Sequence, residues 1–145
     1  MSAETLTARN RADPLARRLA RLVLALAYGY VGYVHLKSPE GFLAIMPAWV
    51  PYPREVVLLT GVAEIVGAIG LMIPRLRTAA AWGLAAYAVC VFPANIKHAV
   101  EGIAVSGQVL GWGYHGPRLL AQPVLVWWAL WAGGVTDWPF GRRKG

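Results

Sequence analysis

Phe92-Pro93-Ala94-Asn95-Ile96-Lys97-His98 closes an apolar run that begins at Ala79. The run is long enough to cross a bilayer, whose hydrocarbon takes about 20 helical residues to span. Pro93 cannot donate to a helix and crowds the carbonyl four residues back, that of Val89, so a kink is expected there. An amide, a cation and an imidazole follow at Asn95, Lys97 and His98. Backbone groups freed by a proline inside a membrane must be satisfied by side chains or water, and Asn95 is placed to do so.

Outward from this stretch lie three more apolar segments. Together they predict transmembrane helices over residues 14–36, 54–73, 78–100 and 117–135. Residues 1–13 and 137–145 remain as polar tails around a transmembrane domain of residues 14–136. The fold class is therefore all-α, an integral membrane four-helix bundle. The apolar stretch that starts at Leu22 runs on to Leu36 with no small-residue cleavage site, so it reads as a retained first helix.

Composition supports this class. The chain of 145 residues is 57% hydrophobic and 14% charged, too little charge to coat a soluble domain, where about a quarter is usual. The net charge of +7 follows topology. Arg9, Arg11, Arg17, Arg18, Arg21, Arg75, Arg77, Arg142, Arg143 and Lys144 all fall on one side of four spans. The positive-inside rule then puts both termini in the cytoplasm, and the chain reads as a multi-pass protein of the inner (cytoplasmic) membrane. No aromatic residues interleave with the basic ones, which excludes nucleic acid as a partner. Cys90 is the single cysteine, so dithiol chemistry within the chain is excluded as well.

Local signals place the details. Asp13-Pro14 is a cap-like start for the first helix, and Arg17, Arg18 and Arg21 are expected to reach the cytoplasmic headgroups. Ser38-Pro39-Glu40 opens a short interfacial helix to about Ile45. Gly61, Glu64 and Gly67 recur every three residues and are expected to share a packing face. A charged carboxylate at mid-membrane costs about 2.5–3.5 kcal/mol on insertion scales, so Glu64 must be protonated, paired or close to water. Thr78 is expected to cap the third helix. The glycine-rich loop Glu101–Pro117 is expected to hold a short hairpin around Gly107. Arg118 and Gln122 lie four apart on one face of the fourth helix, beside Pro123.

Met46-Pro47, Gly61-x-x-Glu64-x-x-Gly67, Pro74-x-x-Arg77, Phe92-Pro93-Ala94-Asn95-Ile96 and Arg118-x-x-x-Gln122 together resemble the DoxX family of small membrane proteins, over about residues 15 to 135. The resemblance implies a four-helix bundle with both ends in the cytoplasm. It also implies a membrane subunit similar to that of thiosulfate:quinone oxidoreductase or of redox-stress complexes. More distant relatives are similar to assembly factors for membrane receptors. Lys97-His98 departs from the more apolar pattern of the family. No catalytic motif transfers from it.

Two readings of the polar residues follow. At 1.5 Å per residue, Asn95 lies roughly 25 Å along its helix from Thr78, and Glu64 ~15 Å below Arg54. His35, Asn95, His98, Arg118 and Gln122 then gather near the outer face, with Glu64 at the floor of a cavity. Such a cavity suits a quinone head group, with Glu64 and His35 handling protons. It implies an oxidoreductase partner, soluble or in the bilayer. The other reading is structural: Glu64, Asn95 and Gln122 tie helices and satisfy freed carbonyls, and the chain is a non-enzymatic assembly factor or scaffold. The three histidines lack ligand spacing for a metal. Transport by alternating access would need more than one copy of so small a chain, which leaves a homo-oligomer open.

Overall fold

The computed structural model describes residues 13–141. Residues 1–12 of the predicted tail 1–13, and Arg142, Arg143 and Lys144 of the predicted tail 137–145, lie outside the described residues. The chain is all-helical: α1 (Leu15–Lys37), α2 (Glu40–Ala44), α3 (Pro53–Met72), α4 (Arg77–Cys90), α5 (Phe92–Glu101) and α6 (Trp112–Ala132). Among the described residues the only bridge between extended segments is Val105 with Gln108. There Ser106 and Gly107 both take positive φ, 53° and 78°, the two-residue turn that closes tight hairpins.

Leu15–Lys37, Pro53–Met72 and the combined stretch Arg77–Glu101 are long and apolar enough to cross a membrane. Helix α6 has the length, but His115, Arg118, Gln122 and two prolines dilute its apolar character. The outward faces of the helices carry Leu19, Leu26, Leu59, Val66, Ile69, Val89 and Val124, all exposed. An apolar flank of this extent fits lipid and not water.

Helix α1 packs along α3, α3 on α4, α4 on α6, and α6 returns to α1. Leu24, Leu71 and Leu84 form the core with Ala81, Ala85, Ala129 and Ala132. Small residues let the backbones approach, the main source of helix association in lipid. A Cβ added at Gly32 would sit 2.6 Å from the Gly61 carbonyl, and one at Gly61 would sit 2.7 Å from His35 Cβ. Gly67 faces Leu84 on α4 instead. Gly61 and Gly67 therefore do not share a face as expected. Three residues turn a helix by about −60°, so the two glycines diverge and Glu64 points between their two neighbours, into the interior.

The third span is broken where proline predicts it. Helix α4 ends at Cys90, Val91 forms a turn, and Pro93 sits at the start of α5, where its missing N–H costs nothing. The fourth helix starts earlier than residue 117. The N–H groups of Tyr114 and His115 donate to the Gly111 carbonyl and open it, and Pro117 is carried inside. It ends at Ala132, before residue 135. Gly134 takes a positive φ of 75°, and the N–H groups of Gly134 and Val135 donate back to the carbonyls of Trp131 and Leu130, the glycine stop of a Schellman motif. Thr78 does not cap α4, whose flanking residue is Leu76.

Asp13 does not cap α1 either, because the flanking residue is Pro14. Its carboxylate instead gathers three arginines from two helices. Arg21 Nη2 donates to Asp13 Oδ2 at 2.7 Å, Arg77 Nη1 lies 3.4 Å from the same oxygen, and Arg17 lies 3.8 Å from Oδ1. Arg21 Nε donates to the Ala132 carbonyl at 2.8 Å, and Arg17 pairs with Asp137. Arg21 is thus buried and Arg17 is paired, so neither reaches out to headgroups as expected; Arg18 alone of the three is exposed. Burial by itself would push the Asp13 carboxyl up, but the hydrogen bond and charge of Arg21, with Arg77 and Arg17, hold it below its ordinary value.

This has a pH consequence. A depressed folded-state value stabilises the fold above the unfolded value of 3.8, and that stability is lost as pH falls through the folded value. Thermal melts between pH 7 and pH 3 should show wild type losing stability in acid. Asp13→Asn should be less stable at pH 7 and should lack this acid-dependent part. Parallel pH profiles for the two proteins would contradict the assignment.

Candidate functional site

Between the helices lies a cavity of about 460 Å³, within the roughly 300–1,000 Å³ usual for small-molecule sites. Its walls are mostly apolar and aromatic. Five sequence-predicted residues line it: His35, Glu64, Asn95, Arg118 and Gln122. His98 does not. Its Nδ1 accepts a hydrogen bond from Arg118 Nη1 at 3.0 Å, and its ring packs edge-on against His115, centroids 4.6 Å apart. His98 is therefore a support behind Arg118 and not a cavity group. Among the described residues no group of three His, Cys, Asp or Glu side chains could hold a metal ion.

The floor of the cavity is Glu64, only 2% exposed. His35 Nδ1 lies 3.0 Å from Glu64 Oε2 and 2.9 Å from the Val31 carbonyl. A neutral imidazole carries one N–H, and at Nδ1 it is aligned with the carbonyl one turn back. Oε2 is left buried with no aligned hydrogen-bond donor. A buried polar atom without a partner costs about 1–3 kcal/mol, a cost that a ligand donor in the cavity would remove. The Tyr87 hydroxyl, also on the cavity wall, is within reach of the Glu64 carboxyl. The polar floor thus combines a carboxyl, an imidazole and a phenol.

Higher up, the Asn95 amide faces the cavity and makes no side-chain hydrogen bond among the described residues. Gln122 differs. Its Nε2 donates to the Ala88 carbonyl at 2.9 Å, so it ties α6 to α4 beside the helix break. The carbonyl satisfied in this way is that of Ala88, not that of Val89. Gln122→Leu should leave the Ala88 carbonyl unpaired and cost about 1–3 kcal/mol in denaturant or thermal unfolding. An unchanged midpoint would mean that water replaces the amide.

At one end the cavity is covered by α2 and the loop after it. Phe42 stacks on His35 with centroids 3.6 Å apart, and Lys97 Nζ donates to the Met46 carbonyl at 2.9 Å. Phe42, Ile45 and Met46 all line the cavity. Phe42 has no place in the sequence reading, Ile45 enters it only as the end of the interfacial helix and Met46 only through the Met46-Pro47 pair, although their three- and four-residue spacing is the signature of a one-sided apolar segment. Tyr87 was also missed, since nothing local distinguishes it from the interfacial tyrosines.

A family model described as "Domain of unknown function (DUF8561)" matches residues 24–133. The chain belongs to the DUF8561 family. The matched segment holds every cavity residue named above, whereas Asp13, Arg17 and Arg21 of the ion cluster lie outside it. No curated protein and no solved structure matches the chain.

Proposed function

We propose that this DUF8561 protein is a DoxX-like membrane subunit that binds a quinone head group in the Glu64 cavity. In this reading four helices, α6 among them, cross the cytoplasmic membrane as a bundle with both termini in the cytoplasm. The observation that carries it is the buried Glu64 Oε2 atom without a donor, beside His35, at the floor of a largely apolar cavity. A quinone is a flat apolar ring with oxygens at opposite edges, and a hydroquinone supplies the O–H donor that Oε2 lacks. Converting one to the other takes two electrons and two protons. The electrons would come from an oxidoreductase partner, and Glu64 with His35 would pass the protons. Asn95 and Arg118 offer donors to quinone oxygens, and Tyr28, Phe42 and Tyr87 offer ring faces.

The bond from Gln122 to Ala88 favours a second reading, a scaffold whose buried polar groups serve only to hold helices. Cys90 separates the two. It is the sole cysteine, exposed, and part of the cavity wall. Maleimide labelling in lipid nanodiscs should slow when a ubiquinone-type quinone is added. Equal labelling rates at saturating quinone, with no quinone retained on repurification, would leave the scaffold as the better account.

A further inference from the structure

Away from the cavity, α1 and α3 leave a groove of about 450 Å³ on the outside of the bundle. Its floor is made of small residues. Ala25 and Ala68 are buried, and a Cβ built on Gly29 would lie 3.9 Å from the Ala68 Cβ. Its banks are large and exposed, Leu22 and Leu26 on α1, Ile69 and Met72 on α3. Every lining residue is apolar apart from the hydroxyl of Tyr30. From Leu22 to Tyr30 the groove runs roughly 12 Å at 1.5 Å per residue. That is close to the depth of one leaflet of a hydrocarbon core about 30 Å thick.

The Leu22 end of the groove carries charge. Arg18 precedes Leu22 by one turn and shares a helix face with Leu22, Ala25 and Gly29. Helical side chains lean toward the N-terminus, so Arg18 extends past the end of the groove. Arg75 comes about level with it. Gly32 faces Gly61 and Gly29 faces Ala68, so α1 and α3 run antiparallel. Arg18 lies fourteen residues before Gly32, and Arg75 fourteen after Gly61. Both arginines are exposed, and neither pairs with an acidic side chain among the described residues. Their neighbours Arg17, Arg21 and Arg77 are already held by Asp13 and Asp137.

We infer that the groove is a binding site for an anionic phospholipid, with the phosphate at Arg18 and Arg75 and one acyl chain over Ala25, Gly29 and Ala68. An arginine presents a planar fork of donors to phosphate oxygens, and basic pockets at the ends of membrane helices take acidic head groups. The apolar groove below them suits the chain of the same lipid. A second copy of the protein fits less well. A two-fold contact puts the same patch on both partners, and here it would set the unpaired arginines of one copy against those of the other. No groove residue lines the Glu64 cavity, so the site stands apart from the quinone reading. In the proposed topology it faces the cytoplasmic leaflet.

The test is native mass spectrometry of the full chain, released from detergent after incubation with equimolar dioleoyl-phosphatidylglycerol and dioleoyl-phosphatidylcholine. Wild type should retain phosphatidylglycerol in preference to phosphatidylcholine by about fivefold or more, the scale of one basic side chain at an acidic head group. Arg18→Gln with Arg75→Gln should still hold lipid but lose the preference. Gly29→Leu fills the groove, since an added Cβ there meets only Ala68, and should lower retention of both lipids. Thermal melts before lipid is added check that each variant folds. The arginine substitutions lie at exposed positions, and they decide the matter alone if Gly29→Leu unfolds. Equal retention of the two lipids by wild type would overturn the site. So would an unchanged preference in the arginine variant, or unchanged retention in a folded Gly29→Leu. A wild-type dimer that Gly29→Leu converts to monomer would overturn it in favour of a second copy in the groove.

Discussion

Gly32→Leu is expected to destabilise the protein by about 3 kcal/mol or more, the upper range for overpacking a close contact. A Cβ at position 32 would meet the Gly61 carbonyl at 2.6 Å, Ile65 Cγ1 at 2.9 Å and Glu64 Cβ at 3.0 Å. The first of these is backbone, so no rotamer change relieves it, and α1 must move away from α3. Helix association in lipid depends on such close packing because no hydrophobic gain replaces it. The same contact holds His35 against Glu64, so the cavity floor should open with it. Gly83 is the matched control. It lies in α4 with nothing within 4 Å of an added Cβ, and Gly83→Ala should be neutral or stabilising by up to ~1 kcal/mol, from helix propensity. Thermal unfolding in mild detergent distinguishes the two. A similar melting temperature for Gly32→Leu and Gly83→Ala would contradict the packing described here.

The second large effect is expected at Glu64, and it separates binding from stability. Gln has the same shape and no charge. Glu64→Gln should fold about as well as wild type, since the amide keeps the shape of the side chain and carries no charge into the buried site. Quinone binding should weaken roughly 10- to 100-fold, which corresponds to losing one hydrogen bond to a charged or proton-exchanging partner, about 1.5–3 kcal/mol. His35→Gln should weaken binding as well, but with a loss of stability, because His35 also bonds the Val31 carbonyl and stacks on Phe42. If Glu64→Gln destabilises the fold and leaves binding intact, Glu64 is a tie between helices.

The helices were legible in the sequence because apolar length and proline are local signals. The break near Pro93 and the hairpin at Gly107 follow from backbone chemistry that no distant contact overrides. The start of α6 was not legible. Pro117 reads as a helix start, but Gly111 opens the helix earlier through its carbonyl. Asp13 reads as a cap from its neighbour Pro14; the three arginines that take its carboxylate are placed by α1 and by the first residue of α4, and only the Arg17 contact is within one helical turn. For the site, burial of His35, Glu64, Asn95 and Gln122 follows from polar residues on apolar helices, which must turn inward. The separation of His98 from them does not follow, because one turn of α5 decides whether a side chain faces the cavity or Arg118.

The most direct test of the account is to extract the protein in native lipid particles and measure bound small molecules by mass spectrometry, for wild type and Glu64→Gln side by side. The account predicts a near-stoichiometric isoprenoid quinone with wild type, and a several-fold lower amount with a Glu64→Gln protein of similar thermal stability. Quinone at no more than the level of the surrounding lipid in both samples would contradict it.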